Sequence, residues 1–523
     1  MQLDSVEIIN PDIVNYIKKL EAKIEILTEY QYKYLQIKEQ YDLLIYKRFG
    51  RSAEQLLEEK HQQLLFREEA EQQQEEEADQ PDKLQTIKTF TRKKPGRKPL
   101  PAELTRKERI IDIPNDEKTC GCGAELTRIG EECSEKLVII PPAIYVEKTV
   151  RPKYACRKCE GTEDEEKATV RIAPVEPTII PRSIVSPSLL STIITQKFEQ
   201  HLPYYRQEKQ FEYIGVSISR QDMSNWQQKA YQNLGPLFEL LKAVVKSGPV
   251  IQMDETTVQV MSDIKSGEEG REDTKNSYMW LACGGPSDKK VLWYEYHETR
   301  KGYNAKKFLE GYSGYLQTDG YDGYDSAVKE LSGIIHVGCF AHARRKFYEA
   351  AKVNKDARTA QEGMKHIRNL YEIEDELRKR KYDDETFVNE RKKCAGPVLE
   401  KFKAWLEKRN DEVPPKMLLG KAIYYSLAQW NKMVAYLESP YLTPDNNACE
   451  NGIRPFVLGR KNWLFNKSPE GADSSCGMFT LIETAKQNGL VPFKYLMALF
   501  EKAPLVSTQK DWEKLLPWNI FTP

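Results

Sequence analysis

Three acidic residues are candidates for one common site. Two of them come at the ends of short apolar segments, and the third lies in a predicted helix. Asp254 ends the apolar run 249–254, Asp319 follows the run 314–317, and Glu450 lies in a predicted helix. Carboxylate oxygens are the ligands that Mg²⁺ and Mn²⁺ prefer. Two such ions about 3.5 to 4 Å apart can activate the attacking oxygen and stabilise the leaving oxygen of a phosphodiester displacement. A single acid is more often a surface charge, but together the three predict a metal-dependent site that cuts and joins DNA.

The surrounding pattern predicts the elements that carry these acids. Strand-like runs at 256–260, 277–282 and 291–297 follow the first acid, which indicates a meander of strands. If the strands of the two aspartates are neighbours, their repulsion is costly unless cations lie between them. Thr443 as N-cap and Pro444 as first helical residue predict the start of the helix of Glu450, and Pro455 is expected to kink or end it.

Basic and polar side chains near these elements are candidates for DNA contact. Those around the helix of Glu450 alternate with Trp463 and Phe465, as expected where phosphates are neutralised and bases stack. Helices predicted at 186–199, 204–213 and 219–245 are compatible with a helix-turn-helix, although ordinary helix packing is the favoured interpretation. The candidates in these segments and on the basic helix edge after 340 are Arg220, Gln221, Arg344, Arg345, Arg454, Arg460 and Lys461.

A basic segment at 92–99 reads Arg-Lys-Lys-Pro-Gly-Arg-Lys-Pro and resembles an AT-hook. Such an extended, proline-stiffened segment can lay its cations in a narrow minor groove of A/T-rich DNA. The alternative is a soluble basic linker. The expected DNA-contacting residues are Arg92, Lys93, Lys94, Arg97 and Lys98.

Two close cysteine pairs predict a structural zinc site. Four thiolates from Cys120, Cys122, Cys156 and Cys159 would suit tetrahedral Zn²⁺ and stabilise a small β-rich unit. The first pair has one intervening residue instead of two, so Cys133 is an alternative ligand, and a degenerate site that has lost its metal is the alternative interpretation. Cys339 and His342 form another close pair, but with only two ligands in view the segment is interpreted as a strand that leads into a helix.

Heptad spacing near the N-terminus predicts a helix that self-associates as a coiled coil. The alternative is one amphipathic helix packed on its own domain. The segment 68–82 that follows carries eight acids and no basic residue, as in a solvated helix end or linker. The apolar seam consists of Ile13, Ile17, Leu20, Ile24, Leu27, Tyr34, Tyr41 and Ile45.

Length and composition exclude several classes of protein. The 523 residues suggest three or four folded units, and 40% hydrophobic with 30% charged residues is typical of soluble globular chains. No apolar run approaches the roughly 18 to 20 residues that cross a bilayer, and the first residues do not form a signal peptide. We therefore expect a cytoplasmic protein without a membrane partner. The absence of a Ser-His-Asp pattern or phosphate-binding glycine loop disfavours serine catalysis and nucleotide hydrolysis.

The motifs resemble those of the insertion-sequence-66 transposase family over nearly the whole chain. The matching segments are Asp254-Glu255-Thr256, Thr318 to Tyr324, Cys339 to Phe347, Glu450 to Pro455 and Leu458 to Phe465, with further blocks at 48–52, 96–101, 151–156 and 481–486.

The resemblance implies a multidomain α+β protein with an RNase-H-like mixed α/β core of the Asp-Asp-Glu class. Asp254, Asp319 and Glu450 would hold Mg²⁺ or Mn²⁺, with Asp254 bridging two ions. It further implies a bacterial, nucleoid-associated transposase that acts on the inverted repeats at transposon ends and on target DNA, with small accessory proteins encoded beside it. The alternatives are an inactive DNA-binding or assembly protein derived from a transposase and a nuclease of RNA–DNA hybrids.

The expected domains follow one another along the chain. They are a coiled-coil helix with an acidic segment (1–80), a basic AT-hook-like linker (81–108), a zinc-binding β-rich unit (109–176), a helical domain (177–247), the first part of the catalytic core (248–348), a helical insertion (349–440), the second part of the core with Glu450 (441–500) and a C-terminal tail (501–523).

Overall fold

The computed structural model describes residues 11–49, 144–155, 170–261, 277–353 and 358–521. The chain forms two compact units, one from Met1–Glu76 with Glu176–Pro523 and the other from Glu77–Val175. In the second unit, strands β1 (Lys153–Ala155) and β2 (Val170–Ile172) pair antiparallel. The predicted AT-hook and all four predicted zinc ligands lie outside the described residues.

A mixed five-stranded sheet forms the centre of the first unit. Its strands are β3 (Val250–Val258), β4 (Ser277–Gly284), β5 (Val291–His297), β6 (Gly314–Gln317) and β7 (Ile334–Val337), in the spatial order β5-β4-β3-β6-β7. Strands β3, β4 and β5 form the predicted antiparallel meander, and β6 and β7 add in parallel on the other side of β3. The runs predicted at 249–254 and 256–260 form one continuous strand instead of two.

Four helices lie in the described segment 170–249 directly before the sheet: α2 (Pro187–Phe198), α3 (Tyr204–Tyr213), α4 (Arg220–Asn233) and α5 (Gly235–Ser247). Ser186 and Ser219 cap α2 and α4 as N-cap residues, and Asp222 completes a capping box with Ser219. The prediction of one helix over 219–245 was wrong. The chain breaks at Leu234, because Pro236 in the first turn of α5 has no N–H to continue the hydrogen bonds of α4.

Most of the helices between 302 and 434 build a second apolar core, whereas the first two, at 302–309 and 322–329, pack on the first core. Helices α6 (Gly302–Leu309) and α7 (Asp322–Lys329) flank β6, and α8 (Phe340–Val353) leads from β7 into α9 (Arg358–Lys379), α10 (Asp384–Glu412), α11 (Leu418–Ala428) and α12 (Trp430–Val434). Buried side chains of α8 and of the later helices share this core, among them Phe347, Phe402 and Met433. The fully buried guanidinium of Arg391 donates to the carbonyl oxygens of Tyr436, Ser439 and Leu442 and to Glu374.

The last helices return to the central sheet. They are α13 (Asn447–Trp463), which carries Glu450, then α14 (Pro469–Gln487), α15 (Pro492–Lys502) and the short α16 (Gln509–Glu513). The predicted start of α13 at Thr443 was wrong, since its N-cap is Asn446. The carbonyl oxygens of Thr443 and Pro444 instead accept bonds from Gln317 Nε2 at 2.7 Å and from the N–H of Phe340 at 2.9 Å. Nor does Pro455 end the helix, which continues for two more turns.

The N-terminal helix α1 (Pro11–Phe49) is 39 residues long. Its C-terminal part contacts the second core, where the hydroxyls of Tyr46 and Tyr348 are 3.2 Å apart and Lys47 pairs with Glu349 at 2.6 Å. The predicted seam from Ile17 to Ile45 is exposed to solvent along this helix, for example at Ile24 and Leu27. Within the described part of the chain, no helix is long and apolar enough to cross a membrane.

Candidate active site

The central sheet and helix α13 bring Asp254, Asp319 and Glu450 to one edge. Gln252 of β3 is paired with Gln317, the last residue of the parallel strand β6. Asp254 lies two residues further along β3, and Asp319 lies two residues beyond the end of β6. Helix α13 approaches this edge because Asn446 Nδ2 donates to the carbonyl oxygen of Met253 at 3.0 Å. Glu450 lies in the first turn of that helix.

Each aspartate is oriented by a backbone N–H close to it. Asp254 Oδ1 accepts from the N–H of Glu255 at 2.8 Å, and Asp319 Oδ1 accepts from the N–H of Tyr321 at 3.0 Å. Burial raises the pKa of Asp254 well above its usual range, and the charges of Glu255, Glu450 and Asp319 raise it further. Several carboxylates therefore lie close together at this site, and a bound cation would reduce the repulsion between them.

The three carboxylates do not form the tightest cluster at this edge. In the described chain, one group of three His, Cys, Asp or Glu residues brings its ligand atoms within 4.8 Å of one another, and it consists of Cys339, His342 and Glu450. Repulsion between like charges explains why the Asp-Asp-Glu set stays wider than this. Sequence reasoning saw only the first two members of the tighter group, because Glu450 lies far along the chain.

Glu255 is a fourth acid at this edge that sequence reasoning did not assign. Its side chain is 1% exposed, and it accepts hydrogen bonds from Arg300 Nε at 2.6 Å and from the hydroxyl of Tyr324. The guanidinium of Arg300 in turn stacks 4.0 Å from the ring centre of Tyr321. Neighbouring residues of a strand point to opposite faces of the sheet. Glu255 therefore stabilises β3 from the face opposite to that of Asp254.

A hydrogen-bonded chain supports the residue before Asp319. Thr318 Oγ1 and His336 Nε2 are 2.8 Å apart, His336 Nδ1 lies 2.8 Å from Asp325, and Lys432 of α12 pairs with Asp325 at 2.6 Å. Burial lowers the pKa of His336, which favours a neutral ring that donates from Nδ1 to Asp325. Thr318 is fully buried, so this arrangement positions the strand end and presents no nucleophile. His336 is thus a hydrogen-bonded histidine of strand β7.

The candidate DNA-binding residues occupy different environments. Arg344 is buried, which makes its assignment to a basic surface edge wrong, because that side of α8 packs on the second core. Arg460 donates to the carbonyl and hydroxyl oxygens of Thr257, so it fastens α13 to β3. Arg345 is 41% exposed and lies 3.5 Å from Glu450. Arg220, Gln221 and Lys461 are exposed, and Arg454 is partly buried.

Family models of known proteins match the sequence over most of the chain. The profile described as "Transposase IS66 family" matches residues 182–474, and "zinc-finger binding domain of transposase IS66" matches residues 117–160. The profiles "IS66 C-terminal element" and "Transposase C of IS166 homeodomain" match residues 480–518 and 36–109.

Similar proteins come from Sinorhizobium fredii. The uncharacterized protein y4hP is 30% identical over 454 residues, which cover 83% of this chain and 78% of y4hP. The uncharacterized protein y4jD is 32% identical over 432 residues, which cover 80% of this chain and 81% of y4jD. Since the first profile alone spans more than half of the 523 residues, the chain belongs to the IS66 transposase family.

Proposed function

We propose that this protein is a DNA transposase that binds transposon ends and cleaves and transfers DNA strands at Asp254, Asp319 and Glu450. The observation that carries the proposal is the proximity of the three acids: Asp254 lies on β3, Asp319 follows the end of the neighbouring parallel strand β6, and α13 brings Glu450 close enough for both charges to act on Asp254. A mixed sheet flanked by helices, with one acid on its central strand and another just after the end of the neighbouring parallel strand, is compatible with an RNase-H-like core.

The donor set fits two divalent cations of the Mg²⁺ or Mn²⁺ class. All three side chains are carboxylates, the raised pKa of Asp254 reflects crowded negative charge, and Glu450 Oε1 is buried without a hydrogen-bond partner among the described residues. Such ions, when bound, would activate the attacking oxygen and stabilise the leaving oxygen. In this proposal Asp254, Asp319 and Glu450 would together hold these ions.

The chain's own residues position these acids and the DNA. The N–H groups of Glu255 and Tyr321 fix the two aspartates, while the exposed Arg345 stands at the same edge, where it can bind a phosphate. Water is the proposed nucleophile for the first cut, and a 3′-hydroxyl of the transposon end then attacks target DNA. Lys461, Arg454, Arg220 and Gln221 are further proposed DNA contacts.

Other parts of the chain are proposed to hold the DNA ends together. The basic segment with Arg92, Lys93, Lys94, Arg97 and Lys98 would contact the minor groove, and Cys120, Cys122, Cys156 and Cys159 would bind Zn²⁺, as the match to a zinc-finger profile supports. The exposed seam of α1 supports a homodimer or higher oligomer through a coiled coil. Accessory proteins encoded alongside and a cytoplasmic, nucleoid-associated location complete the proposal.

Cleavage of labelled DNA that carries the element's ends tests the function. With Mg²⁺ or Mn²⁺, Asp254→Asn, Asp319→Asn and Glu450→Gln should each reduce strand cleavage by at least about 100-fold while DNA binding stays nearly normal. Glu330→Gln, an exposed acid at the end of α7, is the matched control and should cleave like the natural chain. Normal cleavage by any of the first three would remove that residue from the site. DNA binding by the natural chain without cleavage would favour the inactive assembly protein.

A further inference from the structure

Cys339, His342 and Glu450 form a ligand cluster beside the proposed catalytic site. Cys339 lies between β7 and α8, His342 is in the first turn of α8, and Glu450 is in the first turn of α13. Their sulfur, nitrogen and oxygen ligand atoms all lie within 4.8 Å of one another. Residues three positions apart share one side of a helix turn, so Cys339 and His342 face the same carboxylate.

Backbone contacts hold the starts of the two helices together. The N–H of Phe340 donates to the carbonyl oxygen of Pro444 at 2.9 Å, and the N–H of Asn446 donates to Cys339 Sγ at 3.3 Å. Cys339 is fully buried. These contacts fix the start of α8 relative to the start of α13. The position of the cluster is therefore determined by the backbone and not by mobile surface side chains.

Two atoms inside the cluster lack the partners that buried polar atoms normally have. His342 Nδ1 and Glu450 Oε1 are 3.6 Å apart, both are buried, and neither has a hydrogen-bond partner within the described part of the chain. An unsatisfied buried polar atom costs roughly 1 to 3 kcal/mol, and an ion that the structure does not contain is one recognised reason for it.

The chemistry of this set differs from that of the three carboxylates. Sulfur and imidazole nitrogen suit Zn²⁺ and its chemical relatives, whereas Mg²⁺ prefers oxygen alone. Burial lowers the pKa of His342, which leaves the ring in the neutral form that binds metal. Burial also raises the pKa of Cys339, so its thiol must lose a proton when a metal–sulfur bond forms.

We propose that Cys339, His342 and Glu450 form a second metal site, selective for Zn²⁺-class ions, that competes with Mg²⁺ for Glu450. On binding, the thiol of Cys339 would release one proton to solvent and its sulfur would bond to the metal, while a ring nitrogen of His342 and a carboxylate oxygen of Glu450 would donate electron pairs. A Zn²⁺ ion held there draws the carboxylate of Glu450 toward α8. The competition rests on the proposed function of Glu450, but the metal site itself does not.

Cobalt binding to the full-length chain tests the site without any cleavage assay. The protein is first saturated with Zn²⁺, loosely held metal is removed with a weak chelator, and Co²⁺ is then titrated while the thiolate-to-cobalt charge-transfer band is recorded. We expect one further equivalent of Co²⁺ with this band in the natural chain. Cys339→Ser, whose hydroxyl can still accept from the N–H of Asn446, should lose the band.

Control variants separate the site from the other cysteines and from misfolding. Cys394→Ser changes an exposed cysteine of α10 and should keep the band unchanged. His342→Asn and Glu450→Gln should weaken Co²⁺ binding while the sulfur ligand stays in place, which covers the case in which Cys339→Ser does not fold. A natural chain without the band, or a folded Cys339→Ser that keeps it, overturns the site.

A second measurement addresses the competition for Glu450. Micromolar Zn²⁺ should inhibit Mg²⁺-dependent cleavage, and the inhibition should be weaker in Cys339→Ser than in Cys394→Ser. Cobalt binding combined with equal inhibition in both variants would overturn the competition and leave the metal site standing. A chain that binds Co²⁺ but cleaves no DNA at all would contradict the proposed function and not the site.

Discussion

At the scale of single residues, Asp254 illustrates the conflict between stability and activity. Its carboxyl is partly buried beside three other acids, and its pKa is raised above that of the unfolded chain. The folded protein therefore binds this proton more tightly than the unfolded protein does. The contribution of Asp254 to the protein's free energy of unfolding therefore decreases with rising pH. The decrease begins at about pH 4, near the pKa in the unfolded chain, and is complete above the raised pKa of the folded state.

The first prediction concerns Asp254→Asn in the absence of metal. The amide oxygen can still accept from the N–H of Glu255, while the buried charge is removed. At pH 7 we expect the free energy of unfolding to rise by on the order of 1 kcal/mol or more, and its decline with pH to become shallower. Denaturant unfolding in a chelating buffer at several pH values measures both.

Magnesium provides the control for this prediction. Mg²⁺ binds the folded state of the natural chain and should stabilise it, and the gain should be smaller in Asp254→Asn. A variant that is less stable than the natural chain without metal, or gains equally from Mg²⁺, would contradict the charge-crowding account.

Residue types alone predicted part of this site. Asp254 and Asp319 could be located because each follows a short apolar run, a local signal that the sheet preserves. Arg344 was misassigned because a run of basic residues does not show which of them faces the core. The role of Glu450 beside Cys339 and His342 was missed because the contact joins two helix starts that are distant in sequence.

At the scale of elements, helix α13 has to approach the sheet closely. Gly452 lies two residues after Glu450, and a methyl group added to it would be 2.7 Å from Leu281 Cδ2 and 2.9 Å from Leu292 Cδ2. Its carbonyl oxygen also accepts from the hydroxyl of Tyr294. A glycine here therefore sets the distance between the helix of Glu450 and strands β4 and β5.

The second prediction is that Gly452→Ala pushes α13 away from the sheet. Overpacking should lower the free energy of unfolding by about 1 to 3 kcal/mol and reduce cleavage, because Glu450 moves with the helix. Gly396→Ala in α10 is the matched control, since its methyl would meet no described atom within 4 Å. That change should instead stabilise the protein by up to about 1 kcal/mol. Equal effects of the two substitutions in thermal unfolding would refute the packing argument.

The third prediction concerns the link between α12 and strand β6. Lys432→Met breaks the ion pair with Asp325 and loosens the chain through His336 to Thr318. We expect cleavage to slow by about tenfold or more at saturating DNA, with little change in DNA affinity, as for residues that orient metal ligands indirectly. Lys421→Met, on the exposed face of α11, removes the same charge without this contact and should cleave normally. A selective loss of DNA affinity in Lys432→Met would indicate a phosphate contact instead.

Element boundaries show where local signals fail. Ser186 and Ser219 cap helices where the sequence predicts, because a cap depends on neighbouring residues. Thr443 and Pro444 carry an equally good local signal, yet their carbonyl oxygens are bound by Gln317 and Phe340, so the helix starts later. The two donors belong to distant parts of the chain, so the local pattern around Thr443 does not reveal them.

At the scale of the whole molecule, the exposed seam of α1 is the feature that a single chain does not explain. Its apolar side chains, from Ile17 to Ile45, are all at least 40% exposed. A long apolar stripe is unfavourable in water unless it is covered, and heptad spacing suits a second copy of the same helix. The sequence predicted this helix and its seam because the repeat is local and regular.

The fourth prediction is that Ile24→Glu and Leu27→Glu together shift the protein toward monomers. Light scattering or sedimentation at matched concentrations measures the change. Ile26→Glu is the control, because Ile26 is similarly exposed but lies off the seam. An unchanged molar mass in the double variant, or an equal shift in the control, would argue against pairing through this seam.

The buried guanidinium of Arg391 limits which segments of the chain can be deleted. Its hydrogen bonds to the carbonyl groups of Tyr436, Ser439 and Leu442 fasten the segment that leads directly into the helix of Glu450. Excising helices α9 to α12 by joining α8 to that segment would leave these acceptors without their donor. Helices α9 to α12 are therefore tied to the segment before Glu450, and deletions of these helices that spare all three acids should still disturb the placement of Glu450.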